Sequence, residues 1–359
     1  MMPDFLQRRN KSREIFLSTS NAALFFDAVS IRYLSGFSGS NAALLIGSEA
    51  KDDLLLTDER YTKRAKDEAI DIKIEINRDF VSIIKREVAQ LNLTKIAIDP
   101  KLLTFSQAEF IQKDLNLELV KFKDFLSPLR MIKDEYEIKQ IKKACAITAD
   151  TLWFLINDLR PGMNEKQIAR LLQEGFLKRG ADGLAFNSIV ASGLNSATPH
   201  HEPTNRILER GDMVTIDCGA LVNGYHADMT RTVFIGTCAD WQKEIYDAVM
   251  QAQNLGRKKL KVGVSAEEVD KECRSYIEKA NFGSYFVHGT GHGVGLEIHE
   301  PMFLAKEVKT KLSRGNCVTV EPGIYLPEKG GVRIEDTCLV TDGEAEVLTP
   351  GSHEIICVA

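Results

Sequence analysis

The sequence predicts an α/β domain followed by an α+β domain built from two related halves. Three observations carry this expectation. The chain has 359 residues, more than one ordinary core organises, so two domains are expected. Its first part alternates short apolar runs with charged stretches of helical period. Its second part holds an internal repeat: Arg210 to Asp217 matches Arg314 to Glu321, an offset of 104, and seven of the eight positions are identical or conservative.

The first domain is expected over residues 1–128. Ala42 to Ile46, Leu54 to Leu56 and Ile96 to Ile98 read as strands of a covered sheet. Tyr61 to Ala69 and Phe80 to Leu91 read as helices between them. No chemical motif lies in this stretch, so its expected role is structural: a lid, a wall of the site or a dimerisation surface. The second domain is expected over residues 129–359, opened near residue 130 by a helix with apolar positions Ile138, Ile141 and Ala144 or Cys145.

The repeat then orders the rest. Asn164 with Gln167, and Ser265 with Glu268, read as capping boxes that start two helices. Gly180 and Asn281 end them, since both residue types tolerate a left-handed C-cap. Each half therefore reads as helix, strands and hairpin. Two such halves facing each other form a pseudo-twofold domain with a central cleft.

Composition narrows the function. The chain is 44% hydrophobic and 27% charged with a net charge of -5, which leaves no basic excess for nucleic acid or a membrane surface. No apolar run approaches the roughly 18 residues of a spanning helix, and the start lacks a signal-peptide core. Seven scattered cysteines without a C-x-x-C suit reduced thiols in a cytoplasmic protein. All seven histidines lie between His200 and His353, which points to a site in the second domain.

The repeat places a carboxylate at the end of a strand in each half, Asp217 and Glu321. Each hairpin returns with a second one, Asp228 or Glu335. A two-residue turn at Asn223-Gly224 sets Asp217 opposite Thr230 and makes Asp228 its diagonal neighbour, while a turn one residue earlier sets Asp217 directly opposite Asp228; either register keeps both side chains on one face. The second hairpin is expected to turn around Gly330-Gly331. Glu321 and Glu335 are 14 residues apart, so a shared face there needs an odd loop or a bulge. Four acids converging in a cleft are costly without a cation. An oxygen-rich set suits Mn(II), Co(II) or Fe(II), and bridging carboxylates can hold two ions roughly 3.5–4 Å apart. Solvated strand-end acids are the bland alternative, weakened because two pairs sit at matching places of the repeat. The segment His288 to Glu300 adds His288, His292 and His299 among glycines that let backbone pass close to a ligand. It is neither a dinucleotide fingerprint nor H-E-x-x-H.

These residues carry a resemblance. Ile216-Asp217-x-Gly219, Gly224-Tyr225-x-x-Asp228-x-Thr230-Arg231, Gly291-His292-Gly293-x-Gly295-Leu296, Val320-Glu321-Pro322-Gly323 and Arg333-Ile334-Glu335-Asp336 resemble the motifs of the "pita-bread" metallopeptidases. That group includes aminopeptidase P, prolidase, methionine aminopeptidase and the metal-free relative creatinase. The resemblance covers Arg130 to the C-terminus by motif, and a separate first domain extends it to the aminopeptidase P, prolidase and creatinase branch. It implies two divalent metal ions, Mn(II) before Co(II), Fe(II) or Zn(II), on Asp217, Asp228, His292, Glu321 and Glu335. It implies a water acidified by both ions, with Glu321 as proton acceptor. His200 and His299 would bind the substrate carbonyl and its tetrahedral intermediate. His288 would line a proline pocket, and Arg333, with Glu321, His200 and His299 one of the implied catalytic residues, would orient Glu335 and the network around the intermediate. His201, His226 and His353 match no role and are expected to be structural or exposed. The implied partners are proline-containing peptides and a second copy in a homodimer.

Rival readings are weaker. A non-catalytic binding module, or a metal-free hydrolase, would have lost ligands that this chain keeps. A methionine aminopeptidase would not need the first 125 or so residues. Between aminopeptidase P and prolidase, prolidases commonly place an arginine after the His-Glu motif. From Glu300 to Ser313 this chain offers only Lys306, Lys309 and Lys311, which leans towards an Xaa-Pro aminopeptidase, with Xaa-Pro dipeptidase as the alternative.

Overall fold

The computed structural model describes residues 3–358 and divides into two compact units, one ending at Arg130 and one beginning at Met131. In the first unit, strands β1 (Ala23–Phe25), β2 (Ala42–Ile46), β3 (Leu54–Thr57), β4 (Lys73–Ile76), β5 (Lys95–Ile98) and β6 (Glu118–Lys121) form one mixed sheet in the order β4-β3-β2-β1-β5-β6. Helices α1 (Phe5–Phe16), α2 (Ala28–Ser35), α3 (Thr62–Glu68), α4 (Phe80–Gln90), α5 (Phe105–Glu109) and α6 (Ser127–Arg130) accompany it. Every residue of β3 is buried, which is why its apolar run is continuous rather than alternating. Leu45, Leu54, Leu56, Ile84 and Ile96 belong to its core.

The second unit opens with α7 (Glu135–Ile156), not near residue 130. Its start is fixed by a reciprocal capping box between Asp134 and Glu137, and the residues just before it belong to the four-residue helix α6 and a turn. Helices α8 (Glu165–Lys178), α9 (Asp240–Lys259) and α10 (Ala266–Lys279) follow. Asn164 caps α8 by accepting from the Gln167 amide, and Ser265 and Glu268 form the full box of α10. Gly180 and Asn281 have φ of +85° and +65°, so both helices end in left-handed residues. Helix α9 is an addition to the expected pattern. It buries Ile245, Val249 and Ala252 against α10 and the second half's strands.

The two halves are legible in their sheets. Strands β7 (Gly183–Leu184), β8 (Ile189–Ser192), β9 (Met213–Cys218), β10 (Ala220–Val222), β11 (Tyr225–His226) and β12 (Met229–Ile235) belong to the first half. Strands β13 (Gly291–Gly293), β14 (Glu300–Leu304), β15 (Cys317–Val320), β16 (Gly323–Leu326), β17 (Gly330–Arg333), β18 (Asp336–Leu339) and β19 (Glu346–Val347) belong to the second. The short β20 (Cys357–Val358) is an edge of the first half's sheet, β20-β12-β9-β8, and the second half's sheet runs β14-β13-β15-β18-β19. The helix caps repeat too: Asn164 bridges Ile207 and Ser265 bridges Lys311. Among the described residues no helix is long and apolar enough to cross a membrane.

Candidate metal centre and active site

The first carboxylate pair is positioned by the turn anticipated from Asn223-Gly224. Both turn residues have positive φ, +48° and +77°, and Val222 pairs with Tyr225 across them. The same register runs into β9 and β12, where Asp217 stands opposite Thr230. Asp228 is then the diagonal neighbour of Asp217 on one face.

The second pair differs from expectation in its turn. Leu326 pairs with Gly330, so the loop is Pro327 to Lys329, with Glu328 in the left-handed region at φ +66°. Gly330 and Gly331 lie in β17 instead. A Cβ on Gly331 would sit 2.5 Å from the Ser196 carbonyl oxygen, so close packing rather than a turn requires that glycine. Three loop residues are the odd number that a shared face demands. Val320 pairs with Asp336 and Gly323 with Arg333, which leaves Glu321 and Glu335 facing each other in the interval.

His292 enters from β13, whose Gly293 pairs with Val318 of β15. A Cβ on Gly291 would meet the Thr319 carbonyl oxygen at 2.0 Å, so only glycine allows this approach. The imidazole Nδ1 lies 3.0 Å from the Gly293 carbonyl. A carbonyl oxygen only accepts, so Nδ1–H donates there and Nε2 is the ring nitrogen that faces the acids, while burial lowers the pKa of this ring. Nε2 is 3.3 Å from Glu321 Oε1 and 3.6 Å from Asp228 Oδ2. Ligand atoms of Asp228, His292 and Glu335 all lie within 4.8 Å of one another.

The donor set fits a cation. Asp217 Oδ1, Asp228 Oδ1 and Glu335 Oε1 are buried acceptors without any hydrogen-bond partner. Burial first, then the neighbouring carboxylates, pushes Asp228 and Glu335 well above the usual carboxylate range. Burial also raises Glu321, opposed by His288 and Arg333. A fixed positive charge at the acids is Arg333, whose Nη2 donates to Asp217 Oδ2 at 2.8 Å; Arg170 also lines the cavity. The protein alone thus leaves converging acids under-compensated.

Arg333 was expected to orient Glu335. It holds Asp217 directly and reaches Glu335 only through Thr230. Its Nε donates to Thr230 Oγ1 at 3.2 Å, and that hydroxyl donates to Glu335 Oε2 at 2.7 Å. Its Nη1 donates to the Tyr325 hydroxyl at 2.9 Å, which is 2.9 Å from His288 Nε2. His288 Nδ1 lies 2.7 Å from the Gly289 carbonyl. Both ring nitrogens are therefore used by the protein, and His288 offers its ring to the cavity. His200, His288, His292, His299, Asp217, Asp228, Glu321 and Arg333 all line one cavity of about 870 Å³, while Glu335 is buried behind it. The rings of His200 and His299 have no protein hydrogen-bond partner among the described residues, and the His299 ring stands edge-on to His292, centroids 4.4 Å apart.

Residues 139–342 match the model of metallopeptidase family M24, and residues 14–132 match the creatinase/prolidase N-terminal domain. The chain belongs to metallopeptidase family M24. This M24 chain is 37% identical to the Xaa-Pro dipeptidase of Pyrococcus furiosus over 333 residues, 91% of this chain and 93% of that one. Its structure is similar to that of the Xaa-Pro dipeptidase from Bacillus anthracis, with a TM-score of 0.96 and 36% identity over 99% of this chain and 100% of that one. It is also similar to the X-Pro aminopeptidase from Thermotoga maritima, with a TM-score of 0.91 and 35% identity over 97% of this chain and 100% of that one. The second unit has the pita-bread fold, and the M24 enzyme is a metal-dependent hydrolase.

Several site residues of the M24 chain were not anticipated. Thr230, Thr319 and Tyr325 hold its charged groups: Thr319 Oγ1 donates to Glu321 Oε1 at 3.0 Å. Only Thr230 carried a signal, its place opposite Asp217 in the hairpin register. The three histidines without an expected role each meet a protein partner, and His201 also lines the cavity. His201 meets Glu165, His226 meets the Gly295 carbonyl, and His353 meets Asp336.

Proposed function

We propose that the protein hydrolyses the bond preceding proline at the N-terminus of peptides, as an Xaa-Pro aminopeptidase. Two divalent ions, Mn(II) first among the candidates, would be held by Asp217, Asp228, His292, Glu321 and Glu335. The observation that carries the metal reading is the set of buried, partnerless oxygens on Asp217, Asp228 and Glu335 beside the His292 lone pair. When bound, the ions supply Lewis acidity that makes a hydroxide nucleophile available near neutral pH.

The chain's own groups do the rest. Glu321, steadied by Thr319, accepts a proton from the attacking water and returns it to the leaving nitrogen. His200 and His299 point free ring nitrogens into the cavity and donate to the carbonyl oxygen as negative charge develops on it. Arg333 holds Asp217, and through Tyr325 it fixes His288 as a wall for the proline ring. Preference for proline is supported by the relatives named Xaa-Pro dipeptidase and X-Pro aminopeptidase.

The length of peptide is argued from the wall after Glu300. Phe303 and Ala305 line the cavity there, and Lys306, Lys309 and Lys311 do not. No cation of this segment is placed to grip a carboxylate directly on the proline, so a chain continuing past proline is accommodated. The dipeptidase reading keeps its support from the relatives' names. Comparing Ala-Pro with Ala-Pro-Ala under added Mn(II) decides between them. The tripeptide is expected to have the higher kcat/KM. Cleavage of the dipeptide alone would transfer the proposal to prolidase, and no cleavage of either by folded, metal-loaded protein would end it.

A further inference from the structure

The Glu165 carboxylate opens α8, is not among the residues lining the cavity and is wholly buried. It accepts six hydrogen bonds, all from residues 192–204. Oε1 accepts from the Ser192 amide at 2.8 Å, the Ser192 hydroxyl at 2.7 Å and Asn195 Nδ2 at 2.9 Å. Oε2 meets His201 Nε2 at 2.9 Å, the Thr204 amide at 2.9 Å and the Thr204 hydroxyl at 2.7 Å. A buried carboxylate usually pairs with one cation. This one is spread over the last residue of β8 and the loop that follows it.

That loop carries His200. Beyond the 3-10 turn Gly193–Ala197 it has no regular structure, so its course is set by side-chain bonds. It is gripped on both sides of His200. Arg333 Nη1 donates to the Pro199 carbonyl at 3.3 Å, and His201 is held on Glu165. Further back, Ser196 Oγ accepts the Gly331 amide at 2.9 Å. With both neighbours fixed, the His200 ring is aimed into the cavity without a bond of its own.

We infer that Glu165 is a positioning residue for His200, acting through His201 and the loop 192–204. Burial alone would raise its pKa, but the bonds from Asn195, His201, Ser192 and Thr204 outweigh it and hold it at about 2. The anchor is therefore ionised throughout the working range and does not act as a pH gate. The inference rests on the reading of His200 as a substrate-facing group.

A double-mutant cycle tests it on the metal-loaded, full-length protein. Glu165→Gln places a donor amide among six donors and releases part of the loop. The expected result is a kcat lowered about 10- to 100-fold at nearly unchanged KM, the scale on which small misplacements cost rate. In a His200→Ala background the same change should cost no further rate. A purely structural role would cost rate in both backgrounds. His201→Leu removes a single bond and guards against failure to fold. It should lower kcat several-fold, and His201→Gln, which keeps a donor at similar reach, should restore it. Faster amide exchange confined to residues 192–204 in Glu165→Gln is expected whatever the substrate. Unchanged kcat in both Glu165→Gln and His201→Leu, or equal losses with and without His200, would overturn the inference. If the wild type prefers peptides without proline, the proline reading alone fails and the cycle is run on those peptides. If His200→Ala turns over normally, the positioning role fails with it.

Discussion

Replacing Glu335 by Gln should reverse sign with metal. Glu335 is 1% exposed, and one oxygen takes the Thr230 hydroxyl while the other has no protein partner. Glu321 stands opposite, and Asp217 adds further negative charge. Gln keeps the shape and the Thr230 bond, removes one charge and offers an amide to a neighbouring partnerless oxygen. Relieving one buried unsatisfied acceptor corresponds to about 1–3 kcal/mol. For a domain of this size that is roughly 2–12 °C in Tm, upward. With metal the wild type gains about 2.7 kcal/mol per site at a hundredfold excess over Kd. The variant lacks one of the five proposed ligands and should lose most of that gain. Thermal unfolding with chelator and with Mn(II) at pH 8 measures both states. The variant should unfold above the wild type in chelator and below it in Mn(II). A variant destabilised in chelator that keeps the full Mn(II) shift would refute Glu335 as a ligand.

Three further outcomes follow from the same geometry. Asp228 and Glu335 have folded pKa values raised above the unfolded ones, so their contribution is present below about pH 4 and fades as pH rises through the folded values. Glu165 and Asp336, which are lowered, contribute above about pH 4 and are constant from there upward. The Tm in chelator should therefore fall from pH 5 to 8, and Mn(II) should flatten the slope; a flat profile without metal would contradict the crowding of these acids. Tyr325→Phe breaks the link between Arg333 and His288 and should lower kcat/KM for Xaa-Pro substrates about tenfold, measured against an unchanged circular dichroism spectrum. Gly291→Ala drives a Cβ into the Thr319 carbonyl and should cost about 1–3 kcal/mol in denaturant unfolding, together with metal affinity measured by calorimetry.

The ease of reading the sequence varied with the physics of each element. The first carboxylate hairpin was legible in its turn and in the shared face of Asp217 and Asp228, because Asn223-Gly224 favour two positive φ values and the strand period does the rest; the register left open by one residue is settled by the pairing of Asp217 with Thr230. The second was legible in its outcome but not its turn. Gly330 and Gly331 drew the turn towards themselves, although they are glycines for packing against the Ser196 segment. Helix α7 announced its true start through Asp134 and Glu137, a signal that the apolar spacing further along obscured. Helix α9 had an apolar stripe of its own at Ile245, Val249 and Ala252. The metal-binding candidates stood out because acids at strand ends are costly. Their supports did not: a threonine or tyrosine hydroxyl leaves no periodic trace of the carboxylate or imidazole it serves. Glu165 was hidden for a similar reason, since an acid in the first turn of a helix ordinarily needs no further explanation.

The most direct test of the central claim is peptide hydrolysis by the purified protein, with and without divalent metal, on a matched pair of substrates. Ala-Pro-Ala and Ala-Ala-Ala differ only in the ring that the His288 wall is proposed to face. With Mn(II), release of alanine from Ala-Pro-Ala should be at least about tenfold faster than from Ala-Ala-Ala, a discrimination worth 1.4 kcal/mol or more. It should vanish in chelator and in Glu321→Gln. Equal cleavage of both peptides, or cleavage that survives full metal removal, would contradict the account.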